Sequence, residues 1–353
     1  KADFEAYKNL IANLPLEERK AQGFTWHPLN VVKFGYTIGE RSFVIVEKTT
    51  ETEAPRQFRS GKTVRLFTLA EGAYKPERIG VINYVKDKKM KIILNAKDIP
   101  DWLGQGNLGV DLQFDERTYL EMEKALKKVM SAKGDRLAEL RDILLGKQSA
   151  LFQETNQTIQ LPALNQSQQL AVNGILQSRD VAAIHGPPGT GKTTTLVAAV
   201  QELTKVEHQI LVTAPSNTAV DLLTARLAEK GLRVVRIGNI SRVDEDLIRH
   251  TLEVQINEHP DSKNIKKVRQ QAAEARRKAQ RFRRRYGSEE AKERRELYKE
   301  AGELSAWAKQ LEDRIIDQII EGAQVITATL VGSVHPVIEK KKFRTVVIDE
   351  AAQ

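Results

Sequence analysis

A glycine-rich loop carries the side chains with the clearest chemistry in this chain. Residues 186–193 read Gly-Pro-Pro-Gly-Thr-Gly-Lys-Thr, which fits the pattern G-x-x-x-x-G-K-T between an apolar run and a helical pattern. Glycines let backbone N–H groups turn inward around phosphates, and a helix start adds its positive dipole end. We expect Lys192 to reach the β- and γ-phosphates and the Thr193 hydroxyl to bind Mg²⁺. The predicted nucleotide contacts are Gly186, Pro187, Pro188, Gly189, Thr190, Gly191, Lys192, Thr193 and Thr194.

A pair of carboxylates follows the last apolar run of the sequence. Asp349 and Glu350 come directly after Val-Val-Ile at residues 346–348. Carboxylates at the C-terminal end of a parallel strand lie beside the phosphate loop in α/β folds. We expect Asp349 to hold Mg²⁺ and Glu350 to act as the general base that orients the attacking water. A solvated strand end is the alternative for such a pair taken alone.

Five short apolar runs predict the elements that position these groups. Each run resembles a buried parallel strand, and helical patterns lie between the runs. They are residues 181–185, 209–213, 233–237, 324–328 and 344–348. The sequence therefore predicts an α/β, P-loop ATPase domain over residues 151–353.

The residues before this domain predict a separate β-rich unit. Residues 41–48, 62–68, 79–85 and 90–94 read as short strands with polar connections, typical of a small β-barrel over residues 23–115. Helical patterns precede the barrel at residues 2–16 and follow it in residues 116–150. We expect residues 1–22 and 116–150 to form helical stalks that carry the barrel as an insertion.

A second insertion is predicted within the α/β domain, at about residues 244–320. Two apolar stripes step by 3 and 4 residues on either side of Tyr286-Gly287-Ser288, which predicts an antiparallel helical hairpin. Residues 263–285 hold eleven Lys and Arg residues against one acid, Glu274. This excess indicates phosphate contact, although a solvated helix face is the alternative. The candidate contacts at the end of the run are Arg281, Arg283, Arg284 and Arg285.

The overall composition fits an intracellular protein with a polyanionic partner. Lys and Arg total 56 against 47 Asp and Glu, a net charge of +9 and a pI near 9.4. Such a balance suits DNA or RNA. The chain has no cysteine, which fits a reducing cytoplasmic or nuclear compartment. It shows no secretory signal and no run of the roughly 18 apolar residues that a membrane span needs.

Taken together, the loop and the carboxylates resemble superfamily 1 helicases. The stretches GPPGTGKT and DEAAQ are similar to the branch that contains the nonsense-mediated-decay RNA helicase and the immunoglobulin mu-binding helicase. The resemblance implies a RecA-like ATPase that uses ATP and Mg²⁺ to move 5′→3′ on single-stranded DNA or RNA and to unwind it. It adds Gln353 to the catalytic set of Lys192, Asp349 and Glu350. The barrel on stalks and the helical insertion match the family's layout.

Three further stretches resemble motifs of the same branch. Residues 164–172 are similar to its Q motif, which implies that Gln168 reads the adenine edge with its amide; a glutamine on a surface helix is the alternative. Residues 213–221 resemble its motif Ia, and residues 327–329 resemble a strand-end motif that contacts nucleic acid. Helix capping is the other interpretation of the motif Ia polar side chains, and both can hold. The implied nucleic-acid contacts are Pro215, Ser216, Asn217, Thr327 and Thr329.

The sequence also departs from the family pattern. It ends at Gln353, so we expect the second RecA-like domain and its arginine finger to lie outside this chain. The chain alone is expected to be a monomer that hydrolyses ATP slowly. Two other functions stay open: a nucleic-acid-binding module with a degenerate ATP site, and a P-loop ATPase or kinase that does not translocate. No motif distinguishes DNA from RNA, because this depends on 2′-OH contacts.

Overall fold

The structure is a computed structural model of the chain. It describes residues 14–36, 42–49, 57–73, 75–95, 99–104, 106–113, 116–153, 158–238, 243–280, 288–339 and 341–352. The chain divides into two units. The first comprises residues 1–141 and 239–244, and the second comprises residues 142–238 and 245–353.

The first unit is built around a closed β-barrel. Six strands close in the order β1-β2-β5-β4-β3-β6, and every neighbouring pair is antiparallel. Full closure leaves no open sheet edge, which is how small all-β units protect their backbone. The strands are Thr25–Tyr36 (β1), Ser42–Lys48 (β2), Thr63–Thr68 (β3), Glu77–Lys86 (β4), Lys89–Leu94 (β5) and Leu108–Leu112 (β6).

Strand alternation fills the barrel interior. Val44, Val46, Met90 and Ile92 point inward with no exposed surface, so their side chains form the core with the buried ring of Trp26. The small barrel predicted from the sequence is therefore present. Strands β1 and β6 were not predicted, because β1 contains Pro28 and Gly35, which normally interrupt strands, and β6 is buried at all five positions and does not alternate.

Three helices flank the barrel in the sequence: Leu16–Ala21 (α1) precedes it, and Glu116–Ser131 (α2) and Arg136–Leu144 (α3) follow it. Arg19 of α1 and Arg65 of β3 both donate to Oδ2 of Asp111, at 2.5 Å and 2.6 Å. Thr25 donates to the other oxygen of this buried carboxylate. Asp111 therefore ties α1 to three strands. The predicted helix over residues 2–16 lies almost entirely outside the described residues.

The second unit contains a parallel sheet with the order β10-β7-β9-β8. Its strands are Ile210–Ala214 (β7), Val234–Ile237 (β8), Val325–Thr329 (β9) and Thr345–Ile348 (β10). The helices of this unit are Gln166–Gln177 (α4), Lys192–Leu203 (α5), Asn217–Glu229 (α6), Leu252–Glu258 (α7), Ser262–Gln280 (α8), Ser288–Gly322 (α9) and Pro336–Glu339 (α10). Buried Val and Ile side chains of the strands pack against helices on both faces. Four of the five predicted parallel strands are present.

The prediction of a fifth parallel strand was wrong. Residues 181–185 are not in a strand, and Ile184 is 41% exposed. A strand needs hydrogen bonds from a neighbour, and within the described part of the chain no strand lies alongside these residues. At the edge of the sheet, β10 pairs with β7 alone among the described strands. An apolar run alone is therefore not sufficient evidence for a strand.

The long helices α8 and α9 form the predicted antiparallel hairpin. Ile265 and Val268 of α8 pack against Ala308 and Ile315 of α9, and all four side chains are buried. Arg269 and Glu312 join the helices by an ion pair of 2.6 Å. The predicted turn at residues 286–288 lies outside the described residues except for Ser288, the first residue of α9.

Among the described residues, no helix is both long enough and apolar enough to cross a membrane.

Candidate nucleotide-binding site

The phosphate loop has the backbone conformation that its glycines permit. Gly189 and Gly191 have φ angles of 83° and 80°, in the left-handed region that residues with a Cβ rarely adopt. A Cβ on Gly191 would lie 2.6 Å from Nε2 of Gln168. The backbone angle is the reason that position 191 favours glycine, and a side chain there would also displace the amide end of Gln168.

Lys192 is the first residue of helix α5, and its side chain lies over the loop. Its Nζ donates to the carbonyl oxygens of Gly186 and Pro187, at 2.9 Å and 3.2 Å, and Thr190 Oγ1 donates to Pro187 at 2.8 Å. The loop residues from Pro187 to Thr190 are exposed. The ammonium group is therefore held at the mouth of the loop, where phosphate oxygens could replace the two carbonyls as its acceptors.

Gln168 connects helix α4 to the loop. Its Oε1 accepts from the Asn165 backbone N–H at 3.1 Å, and the Asn165 side chain accepts from the Gln168 N–H, which together form a capping box. Its Nε2 donates to the Thr190 carbonyl at 3.1 Å. Both ends of the amide are thus engaged within the protein. Reading adenine would require Gln168 to exchange at least one of these partners, so its predicted role stays a prediction.

The two carboxylates lie where β10 ends. The Asp349 N–H donates to the Thr213 carbonyl at 2.8 Å and extends the β10–β7 ladder by one bond. Its Oδ1 accepts from the Glu350 N–H at 3.1 Å. Glu350 is exposed and has a φ of 53°, an angle that costs about 1–3 kcal/mol for a residue with a side chain. Gln353 lies outside the described residues.

Helix α5 packs against strand β7, the neighbour of the strand that leads to the carboxylates. The connection from Leu203 to Ile210 is short and enters β7 at its N-terminal end, so α5 runs antiparallel to the strand. A 12-residue helix spans about 18 Å, and a five-residue strand about 16 Å. These lengths are compatible with a start of α5 near the level of the carboxyl end of β7, where Asp349 bonds to Thr213.

The donor types of the loop and the carboxylates fit a nucleoside triphosphate with a hard divalent cation. Backbone N–H groups and the Lys192 ammonium suit phosphate oxygens. The Thr193 hydroxyl and the Asp349 carboxylate are oxygen ligands of the kind that Mg²⁺ takes alongside phosphates. Both residues are half-buried, so their oxygens can be reached from solvent. These residues could hold both groups.

The predicted nucleic-acid contacts at the start of α6 are partly structural. Ser216 is the N-cap and its Oγ accepts from the Ala219 N–H at 3.1 Å, so the capping interpretation holds in the structure. Asn217 follows as the first helical residue, half-buried, with its Oδ1 bonded to Arg236. Pro215 is half-buried beside them.

The two threonines of β9 differ in position. Thr327 has no exposed surface, and its hydroxyl bonds to that of Thr224 at 2.7 Å inside the unit. This placement argues against a contact between the Thr327 side chain and nucleic acid, because a mid-strand residue faces the helix that packs on the sheet. Thr329, at the strand end, is half-buried and accepts from the Gly332 N–H at 2.9 Å.

The basic run is described for most of helix α8. Lys263, Lys266, Lys267 and Lys278 are exposed, on the side away from the apolar contact with α9. Arg269 is engaged with Glu312. The predicted contacts Arg281, Arg283, Arg284 and Arg285 lie outside the described residues. A solvated face and a phosphate-binding face are both compatible with this arrangement.

Arg236 is a functional candidate that the sequence did not reveal. It lies in the middle of β8 and is 1% exposed. It bonds to Asp221 and Asn217, which lie 15 and 19 residues earlier in the chain. Within residues 233–237 it is one of two arginines in an otherwise apolar run. Its only sequence signal was the acidic Asp221 in the motif Ia stretch.

Comparison with known proteins agrees with the motifs. Residues 163–353 match the model of a family described as an AAA domain, and the chain belongs to this family. This match begins just before the Gln168 capping box and includes the phosphate loop and both carboxylates.

Its relatives include named helicases. The chain is 30% identical to an uncharacterized ATP-dependent helicase of Methanocaldococcus jannaschii over 290 residues, 72% of this chain and 43% of the relative. It is 29% identical to the DNA-binding protein SMUBP-2 of Mesocricetus auratus over 84% of this chain and 30% of the relative. It is 36% identical to a regulator of nonsense transcripts 1 homolog of Drosophila melanogaster over 59% of this chain and 16% of the relative.

These findings confirm the resemblance to the superfamily 1 helicase branch that the motifs indicated. The chain spans less than half the length of each of these three relatives.

Proposed function

We propose that this chain is the ATP-binding part of a nucleic-acid-dependent ATPase that moves along single-stranded DNA or RNA and unwinds duplexes. The observation that carries the proposal is the local form of two motifs: the phosphate loop has left-handed glycines and leads into helix α5 at Lys192, and the Asp349–Glu350 pair directly follows the parallel strand β10. The matched family and the helicases among the relatives support it. Movement in the 5′→3′ direction follows from the family resemblance.

The architecture fits a first RecA-like domain, interrupted by the helical hairpin and preceded by the barrel. On this proposal the domain comprises residues 151–353, and the barrel is carried on helical stalks. A second RecA-like domain would supply the arginine finger, because ATP hydrolysis in such motors takes place between two domains.

The side chains divide the work of phosphoryl transfer. Lys192 binds the β- and γ-phosphates, and Thr193 and Asp349 would hold Mg²⁺, which would neutralise charge on the phosphates. Glu350 takes the proton of the attacking water, and Gln353 belongs to the same catalytic set. Glu350 is exposed at the strand end, so water can reach its carboxylate.

The test is ATP turnover by the full-length protein with and without matched DNA and RNA oligonucleotides. We expect turnover to rise when a single strand is added, and the better of the two nucleic acids identifies the substrate. Turnover that ignores polynucleotides would indicate a P-loop ATPase or kinase that does not translocate. Strand binding without turnover would indicate a binding module with a degenerate ATP site.

A further inference from the structure

The side chain of a buried arginine reaches the stretch that is predicted to contact nucleic acid. Arg236 Nε donates to Asp221 Oδ1 at 3.0 Å, Nη1 to the Ile237 carbonyl at 2.6 Å, and Nη2 to Asn217 Oδ1 at 2.9 Å. A Cβ on Gly238 would lie 3.0 Å from Nη1, so glycine at this position leaves room for the guanidinium. Burial lowers the pKa of Arg236, and the hydrogen bond and charge of Asp221 oppose that shift. The group is thus a fully buried cation with three partners.

The chemistry of arginine fixes the orientation of the Asn217 amide. A guanidinium carries only donors, so the atom of Asn217 that it meets must be the carbonyl oxygen. The NH₂ group is the other end of the same planar amide and faces away from Arg236. Asn217 is half-buried, whereas its neighbours Ser216 and Thr218 are exposed. The amide therefore presents donors rather than an acceptor at the start of α6.

Donors at this place suit a phosphate. The first turn of a helix has unpaired N–H groups and the positive end of the helix dipole, and both favour an anion. Ser216 already caps the helix through Oγ, which leaves the Asn217 NH₂ as the side-chain donor that Arg236 has oriented outward. An amide in the opposite orientation would turn its oxygen toward the phosphate and repel it.

We propose that Arg236 is a positioning residue, which locks Asn217 with its NH₂ group toward a backbone phosphate of the bound single strand. The inference rests on the proposed function, because it names how one strand contact is held. An apolar side chain at position 236 would avoid the cost of burying a charge, and a purely structural strand would have no need of the fork between Asp221 and Asn217.

The test is a double-mutant cycle on the full chain, with binding of a fluorescent single-stranded oligonucleotide as the readout. Asn217→Ala is measured in the wild-type background and in Arg236→Lys, since lysine keeps the charge beside Asp221 but lacks the fork. We expect Asn217→Ala to weaken binding about tenfold in the first background and by less than about twofold in the second. Melting temperature and fluorescent ADP binding serve as controls, because neither should follow the strand affinity.

A second variant separates the donor from the anchor. Asn217→Asp still accepts from Arg236 but replaces the NH₂ group by a carboxylate oxygen. We expect its melting temperature to be unchanged or higher while strand binding falls by more than tenfold, since a charge is also introduced. If Arg236→Lys does not fold, Arg236→Met combined with Asp221→Leu removes both charges and replaces it in the cycle.

The outcomes distinguish this inference from the proposed function. An equal loss from Asn217→Ala in both backgrounds, or wild-type affinity in Asn217→Asp, overturns the positioning role while the motor function stands. Failure of the wild-type chain to bind any single strand overturns the strand contact itself and, with it, both proposals.

Discussion

Lys192 is the residue on which we expect nucleotide binding to depend most directly. Lys192→Ala removes the ammonium group that lies over the loop and leaves the carbonyls of Gly186 and Pro187 without this donor. Hydrogen bonds to a charged group contribute about 1.5–3 kcal/mol, so we expect ATP affinity to fall about tenfold to a hundredfold. Titration with a fluorescent nucleotide measures this change. As a control, Lys205→Ala changes a lysine at the far end of α5 and should bind normally; equal loss in both would contradict the assignment.

On the proposed function, Glu350 acts in ATP turnover and not in nucleotide binding. Glu350→Gln keeps the shape of the side chain and removes its basicity. We expect nucleotide affinity near that of the wild type and turnover lower by about 10²–10⁴-fold, the range of general-base catalysis. Single-turnover kinetics on the full-length protein measures both quantities. Undiminished turnover would remove Glu350 from the proposed role.

Individual side chains show where sequence reasoning ends. The loop at the start of α5 and the place of Asp349 after β10 could be predicted from local sequence patterns, whereas their roles stay predictions. Thr327 was predicted as a strand contact, yet it is buried against Thr224, 103 residues earlier in the chain. Arg236 was missed for the same physical reason: the partners that define its role come from another element of the fold.

At the scale of elements, Asp111 links helix α1 to the barrel. Two arginines converge on its buried carboxylate, so Asp111→Ala would leave both half-buried charges without this partner. We expect the free energy of unfolding to fall by about 3–5 kcal/mol, as for other broken buried pairs. Denaturant unfolding measures the change.

The matched control is Glu77→Ala. Glu77 pairs with the same Arg65 at 3.2 Å, but 58% of its side chain is exposed. An exposed pair contributes about 0–1 kcal/mol, so the two variants should differ clearly. Similar losses would contradict the structural role given to Asp111.

Replacing the basic residues of the helical hairpin tests whether they contact phosphate. Replacing Arg281, Arg283, Arg284 and Arg285 by Gln removes four positive charges near the end of α8. Each lost phosphate contact with a single strand makes the negative slope of log K against log salt shallower by about 0.7. If all four arginines contact phosphate, the slope should change by about 3. Strand affinity measured across a salt series gives the slope.

A control replaces Lys292, Lys299 and Lys309 of helix α9, where acidic residues are interleaved with basic ones. We expect this control to leave the slope nearly unchanged. An unchanged slope in the arginine variant as well would mean that the hairpin face is only solvated.

Element prediction succeeded where a pattern was strong and complete. The apolar stripes of α8 and α9 predicted the hairpin correctly, because 3- and 4-residue steps place side chains on one helix face. Residues 181–185 have an equally apolar pattern but form no strand. Apolar character shows that a segment can be buried, whereas strand formation also depends on a neighbour that the pattern does not name.

At the scale of the whole molecule, the two units have opposite ways of ending a sheet. The barrel closes on itself, and each of its strands has two neighbours. Among the strands that the structure describes, the parallel sheet ends at β10, where Val346 and Ile348 are 50% and 47% exposed. The strand Thr345–Ile348 contains no charged residue and no proline, the features that commonly keep sheet edges apart.

The open edge of β10 predicts a dependence on protein concentration. We expect the chain to be a monomer when dilute and to form larger species as it is concentrated, since an exposed apolar edge can template pairing with another copy. Val346→Lys should shift this association to higher concentration in sedimentation velocity, whereas Val206→Lys, at a more exposed valine outside the sheet, should not. Identical sedimentation of the wild type and both variants would contradict association through β10. If the copies do associate through β10, the strand that leads to Asp349 also limits how far the protein can be concentrated before crystallisation or spectroscopy.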